Sequence, residues 1–174
     1  AIKINANTFQ FFTRNPRGGR AKELNFDDIE KAMELMAQYD IVSLLAHAPY
    51  TMNLASKSEE TVTFAKFIFA DDLARLEKLP CTLYNFHPGS HVGQGVEIGI
   101  AKITQALNEL LTGEETTTIL LETMSGKGTE IGRSFEEIKS IIDGVVHNEL
   151  LGVCLDTCHV YSAGYDIVNH LDDV

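Results

Sequence analysis

Short runs of β-branched and aromatic residues alternate along this chain with longer stretches in which apolar positions recur every three or four residues, the pattern of repeated strand-helix units. Asn7 to Phe12 reads as a first strand and Asp27 to Gln38 as the helix after it. Ile41 to Ala46 gives a second strand. In the next helix Val62, Ala65, Phe69, Leu73 and Leu76 share one face, and Ser58 is its start signal. Thr82 to Phe86 is a third strand, succeeded by an amphipathic helix through Val96, Ile100, Ile103, Leu107 and Leu110. Thr117 to Leu121 and Leu151 to Leu155 are the fourth and fifth strands. Between them, Ser134 and Glu137 form a capping-box pattern that opens a helix through Phe135, Ile138 and Ile142. No stretch reads as a linker.

Five such units point to an α/β fold with a parallel sheet covered by helices, and the closed form of that arrangement is the TIM (β/α)8 barrel of about 250 residues. A smaller open sheet fits the pattern as well. On the barrel reading, residues 1–174 are a single domain, the central part of a barrel with five consecutive βα units, truncated at both ends. The sequence begins without Met directly before a strand and stops at Val174, after the start of another helix.

Composition narrows the functional classes. With 44% hydrophobic residues the chain has apolar material for one globular core. It contains no run of eighteen apolar residues, and Ala1 to Asn5 lack the halves of a signal peptide, so a soluble, cytoplasmic protein without membrane contact is expected. Cys81, Cys154 and Cys158 are odd in number and lie in or beside apolar runs, which predicts reduced and mostly buried thiols. A formal net charge of −11 excludes a protein that coats nucleic acid nonspecifically. Any DNA contact has to come from a local site.

The candidate chemistry lies at the strand ends. His47, His87, Glu122 and Asp156 each follow a predicted strand, separated by 40, 35 and 34 positions, one per βα unit. Loops leaving the C-terminal ends of parallel strands converge on one face, so these four side chains are expected to meet. Imidazole with carboxylate is a zinc or manganese ligand set. His159, three residues past Asp156, is placed to join them. A single such His is more simply a hydrogen-bonded loop residue, but four candidate ligands in successive units are harder to explain that way. Glu122 and Asp156 also end apolar runs, where a carboxylate without a partner is costly to bury. A cation is the natural partner, although an Arg or Lys would also serve. Arg14, Arg17, Arg20 and Lys22 crowd the loop after the first strand, a basic patch on an acidic protein unless they are only a solvated charge run.

The local sequences carry a resemblance. His47-Ala48-Pro49-Tyr50 with Asn53-Leu54, Asn85-Phe86-His87-Pro88-Gly89-Ser90-His91, Leu121-Glu122-Thr123 with Gly126-Lys127-Gly128, and Gly152 through His159 (Gly-Val-Cys-Leu-Asp-Thr-Cys-His) resemble successive motifs of the bacterial endonuclease IV family, in that family's order. The resemblance implies an eight-stranded barrel with three zinc ions that acts, as a monomer, in base excision repair. The substrate it implies is double-stranded DNA, cut by hydrolysis of the phosphodiester 5′ to an abasic site through a zinc-bound hydroxide. It implies that His47 and His87 hold one zinc, that Glu122 bridges it to a second and is the catalytic residue, that Asp156 binds the second, and that His159 binds a third. Arg17 is then the residue that enters the base stack, and Tyr50 lies in a DNA-contacting loop. His91, His147 and His170 are left with structural or surface roles.

The chain also departs from the family. The remaining His, Asp and Glu ligands belong to later strands, so only the first zinc site is complete. Met124-Ser125 replaces the Asn/Thr-Ala type of sequence that follows the bridging Glu in some members. Two other readings remain: a metal-dependent sugar isomerase-like barrel enzyme, and a noncatalytic metal- or DNA-binding fragment.

Overall fold

Alternation along the strands and helical periodicity between them produce a five-stranded sheet, all parallel, in the order β1-β2-β3-β4-β5. The computed structural model describes residues 1–174. Its strands are β1 (Thr8–Phe12), β2 (Ser43–His47), β3 (Leu83–Phe86), β4 (Thr118–Glu122) and β5 (Leu151–Cys154). The helices are α1 (Phe26–Gln38), α2 (Glu59–Leu76), α3 (Val96–Leu110), α4 (Phe135–Gly144) and α5 (Thr157–Ala163). Every strand pairs with the next in sequence, as in a wall of a (β/α)8 barrel. None of the helices is long and apolar enough to cross a membrane.

Period-two alternation divides the central strands between two environments. Leu44 and Ala46, Tyr84 and Phe86, and Ile119 and Leu121 belong to the buried core, together with Ile68 and Phe69 of α2, Ile103 and Leu107 of α3, and Ile141 of α4. The alternate positions carry His47, Asn85 and Glu122. The edges differ: α1 buries no residue, and Phe9 of β1 and Val153 of β5 are exposed.

The element boundaries shift in ways that matter for the site. β2 starts at Ser43 rather than Ile41 and runs through His47, and β4 ends on Glu122 rather than Leu121. Both residues are therefore the last of their strands, held by the ladder instead of following it in a loop. His87 directly follows β3, whereas Leu155 separates Asp156 from β5. The helix α5, which periodicity did not mark, starts immediately after Asp156.

The capping box before α4 forms by half. Ser134 Oγ accepts from the Glu137 N–H at 3.3 Å, but the Glu137 carboxylate turns to the N–H groups of Gly132 and Arg133 instead of Ser134. Gly132 has φ +96°, and that turn brings its N–H within reach of Glu137. Ser134→Ala is expected to cost about 1 kcal/mol, the usual value of an N-cap. The change is read as a small drop in melting temperature with unaltered metal content.

Candidate metal centre

The site is built where β2, β3 and β4 end. His47, Asn85 and Glu122 lie on the sheet face opposite the helix-packed residues, and His47 is the register partner of Asn85. With His87, Tyr50, Asp156 and His159 they line a cavity of about 330 Å3.

Glu122 is the centre of the arrangement. Its Oε2 lies 3.2 Å from His47 Nε2 and 3.5 Å from His87 Nε2, and it accepts a hydrogen bond from Asn85 Nδ2. Its Oε1 lies 3.3 Å from His159 Nδ1. One carboxylate oxygen thus faces each half of the cavity. The side chain is only 7% exposed. Burial pushes this carboxyl upward, but the hydrogen bonds of His47, His87 and Asn85 and the charge of His87 outweigh burial and hold it well below the usual carboxylate range.

Tautomers test whether a cation fits. His47 Nδ1 lies 2.6 Å from the Ala48 carbonyl, which only accepts, so the ring proton sits on Nδ1. In the neutral ring Nε2 then carries a lone pair that faces Glu122 Oε2, another acceptor. A proton or a metal ion between them is required to make that contact favourable, and an imidazole fixed by a backbone carbonyl is the usual preparation of a metal ligand. His159 Nδ1 likewise donates to a carbonyl, that of Thr123 at 2.9 Å, but here the same nitrogen is the one near Glu122 Oε1, so the lone pair left for a cation is on Nε2. Two groups of potential ligands result, His47 with His87 and Glu122, and Glu122 with Asp156 and His159. Within each group one ligand atom per residue lies within 4.8 Å of the others, and Glu122 is shared.

Asp156 has a second task. It caps α5, its Oδ1 accepting the His159 N–H at 2.8 Å, while its own N–H donates to Thr123 Oγ1 at 3.0 Å. The cap fixes the carboxylate next to His159, with Oδ2 3.9 Å from His159 Nδ1. Thr123 therefore serves both residues, through its carbonyl and its hydroxyl. The loops are tied in the same manner. Asn53 accepts from the Ser90 N–H and donates to the Ser90 carbonyl, both at 3.0 Å, pinning the loop after β2 to the one after β3. Gly89 sits against this clamp at φ +131°, where a Cβ would lie 2.5 Å from Asn53 Oδ1, so the Pro-Gly-Ser turn has no room for a side chain there.

Of the two residues read as DNA contacts, Tyr50 lines this cavity and Arg17 lies on an adjoining loop. Tyr50 is 58% exposed, and its ring centroid lies 5.5 Å from that of His47 and 5.6 Å from that of His87. Its N–H donates to the Pro16 carbonyl at 2.9 Å, so the loop bearing Tyr50 is fastened to the loop bearing the exposed Arg17. Arg20 and Lys22 are exposed along a neighbouring groove. Arg14 departs from the expected patch. It is buried and paired with Asp71 and Asp72, so its charge is already neutralised within the protein.

The remaining candidates are structural. His91 Nδ1 accepts the Gly95 N–H, while His147 and His170 pair with Glu149 and Asp173. All three cysteines are free, but only Cys81 is buried, because β5 is an edge strand and Cys158 opens a surface helix. Cys154 lines the cavity; burial, with the charges of Glu122 and Asp156, pushes its thiol up to about 11, so it stays protonated at neutral pH. Asn85 and Thr123 are the site residues that strand-end reasoning missed. Period-two counting back from His87 would have separated Asn85 from the core-facing Tyr84 and Phe86, and an Asn among apolar strand residues is the signal.

Comparison with known proteins agrees with the motifs. The model of the xylose isomerase-like TIM barrel family matches residues 1–174. The chain is 60% identical, over 174 residues, to a probable endonuclease 4 of Alkaliphilus oremlandii, covering all of this chain and 62% of that protein. A probable endonuclease 4 of Methanosphaera stadtmanae is also 60% identical, with 63% of its length covered. The crystal structure of endonuclease IV from Thermus thermophilus superposes with a TM-score of 0.81 at 28% identity, covering 98% of this chain and 60% of that one. D-psicose 3-epimerase from Clostridium cellulolyticum superposes with a TM-score of 0.69 at 16% identity over 92% of this chain and 56% of its own, a likeness of fold. The chain spans about three fifths of the length of the curated relatives it matches.

Proposed function

Because this chain belongs to the xylose isomerase-like TIM barrel family, we propose that it carries the metal centre of a DNA-repair endonuclease of the endonuclease IV type, which hydrolyses the phosphodiester 5′ to an abasic site with zinc as its metal. The observation that carries this reading is that Glu122 is shared between two groups of potential ligands, one with His47 and His87 and the other with Asp156 and His159. That is the disposition of a bridging ligand between two cations. Three zinc ions are expected in the complete ligand set, of which this chain supplies His47, His87, Glu122, Asp156 and His159. Zinc, when bound, brings the pKa of a water near neutrality and offsets negative charge on the phosphate and the leaving 3′ oxygen.

The protein groups do the positioning. Ala48 and Thr123 hold His47 and His159 in the tautomer that leaves Nε2 unprotonated. Glu122 keeps the two halves in register. Tyr50 packs its ring beside the two imidazoles. Arg17, on the loop fastened to that of Tyr50, is placed to enter the duplex, and an abasic site is where such insertion costs least because one base is already missing.

The test uses a duplex with one abasic site. Incision on its 5′ side is expected, with loss on chelation, recovery on zinc addition, and an undamaged duplex left intact. An uncut abasic duplex at saturating zinc would reject the nuclease. Epimerisation or isomerisation of a ketohexose would then support the sugar-converting reading, and tight metal or DNA binding without turnover would support a binding role.

A further inference from the structure

Asn85 is the one polar residue of the cavity floor that is buried, is incompletely satisfied and has no place in the ligand set. It is 1% exposed on β3. Its Nδ2 donates to Glu122 Oε2, the same oxygen that faces His47 and His87, while its Oδ1 has no hydrogen-bond partner. The orientation of the amide is chemically forced. A carboxylate accepts only, so the NH2 must face Glu122 and the carbonyl must turn the other way. A buried amide oxygen without a partner costs free energy. The protein retains that cost at the position whose other end grips the central carboxylate.

A carboxylate at the end of a flexible side chain can present both oxygens to one metal or one to each of two. The hydrogen bond from Asn85 decides between them by fixing Oε2 on the His47 side, which leaves Oε1 toward Asp156 and His159. Register explains why the donor comes from this place. Asn85 is the ladder partner of His47 on one side and of Leu120 on the other, two residues before Glu122 and on the same face. No loop movement can separate donor from acceptor without breaking the sheet.

We propose that Asn85 is a positioning residue that sets Glu122 as a two-sided ligand, with its Oδ1 left to accept a hydrogen bond from a water or hydroxyl in the cavity. The proposal rests on the metal-centre reading above. Asn85 makes its side-chain hydrogen bond to Glu122 and acts through it.

The experiment is metal binding by the purified protein, independent of DNA cleavage. Metal-free wild type, Asn85→Leu and Asn85→Ser are titrated with Zn2+ against a chromophoric chelator and with Co2+ followed by its visible absorption. Leu is near in volume and has no donor; Ser keeps a hydroxyl too short to span to Glu122 and serves if the Leu variant fails to fold. Loss of an outer partner of a metal ligand typically weakens binding 10- to 100-fold. A fall of about that size in Zn2+ affinity is expected, with a changed Co2+ spectrum, in a variant whose metal-free circular dichroism matches wild type. A merely structural residue would lower the melting temperature and leave the Co2+ spectrum unchanged. Zn2+ affinity within about twofold of wild type and an identical Co2+ spectrum in a folded variant would overturn the proposal. Failure of the wild-type protein to bind either metal would instead overturn the metal-centre reading, and this one with it.

Discussion

Glu122→Gln is expected to lower incision of an abasic duplex by about a thousandfold or more, on the order of 4 kcal/mol in transition-state free energy, while the protein stays folded. The substitution conserves shape but not ligand chemistry. Asn85 Nδ2 donates to Oε2, so the glutamine oxygen is drawn to that side and its NH2 is turned toward His159 and Asp156. An NH2 offers a cation no lone pair. The half of the site formed by Asp156 and His159 should therefore lose metal before the half formed by His47 and His87. Single-turnover incision, zinc content and circular dichroism of one preparation separate the outcomes. Near-normal incision by a folded variant with full zinc content would reject the bridging role of Glu122.

The site was legible in outline because parallel strands leave their signal in spacing. His47, His87, Glu122 and Asp156 recur once per βα unit, and the structure brings them, with His159, to one cavity. What spacing could not give is which atom does what. The tautomers of His47 and His159 depend on the carbonyls of Ala48 and Thr123, and a carbonyl's direction is a property of the loop rather than of the residue type. Asp156 as cap of α5 was missed for a related reason. A short helix with one buried residue, Val160, carries no periodicity to detect, and the Asp-Thr-Cys-His run reads as ligands before it reads as a helix start.

Charge was the least transferable signal. Four basic residues between positions 14 and 22 look equivalent in sequence, yet Arg14 is buried while Arg17, Arg20 and Lys22 are exposed. The difference is made by Asp71 and Asp72, more than fifty residues away on α2. In the sequence, Asp72 reads as the polar flank of an amphipathic helix next to Leu73. In the fold, that flank faces the loop after β1, and the acid is fully enclosed.

Asp72→Ala is expected to be the most destabilising single substitution on the surface-distal side of this loop, costing about 3–5 kcal/mol, the range for removing one partner of a buried ion pair. Asp72 is fully buried and accepts from Thr13 Oγ1, from Arg14 Nε at 2.9 Å and Nη2 at 2.8 Å, and from Tyr84 OH at 2.8 Å. Burial first, and then the Asp72 charge and hydrogen bond, push the Tyr84 phenol well above its usual range, so it remains a donor at any physiological pH. Alanine would leave a guanidinium whose side chain is 1% exposed with the half-exposed Asp71 as its only carboxylate, and would strand two hydroxyls. For a chain of this size the loss corresponds to about 6–20 °C in melting temperature. Arg14 also donates to the Gly19 carbonyl at 2.7 Å, so the loop that carries Arg17 should loosen together with the core. Thermal melts with hydrogen exchange of residues 13–20 test both parts. A loss below about 1 kcal/mol, within the range of an exposed pair, would mean that water replaces the carboxylate at little cost and that Arg14 is not held by Asp72.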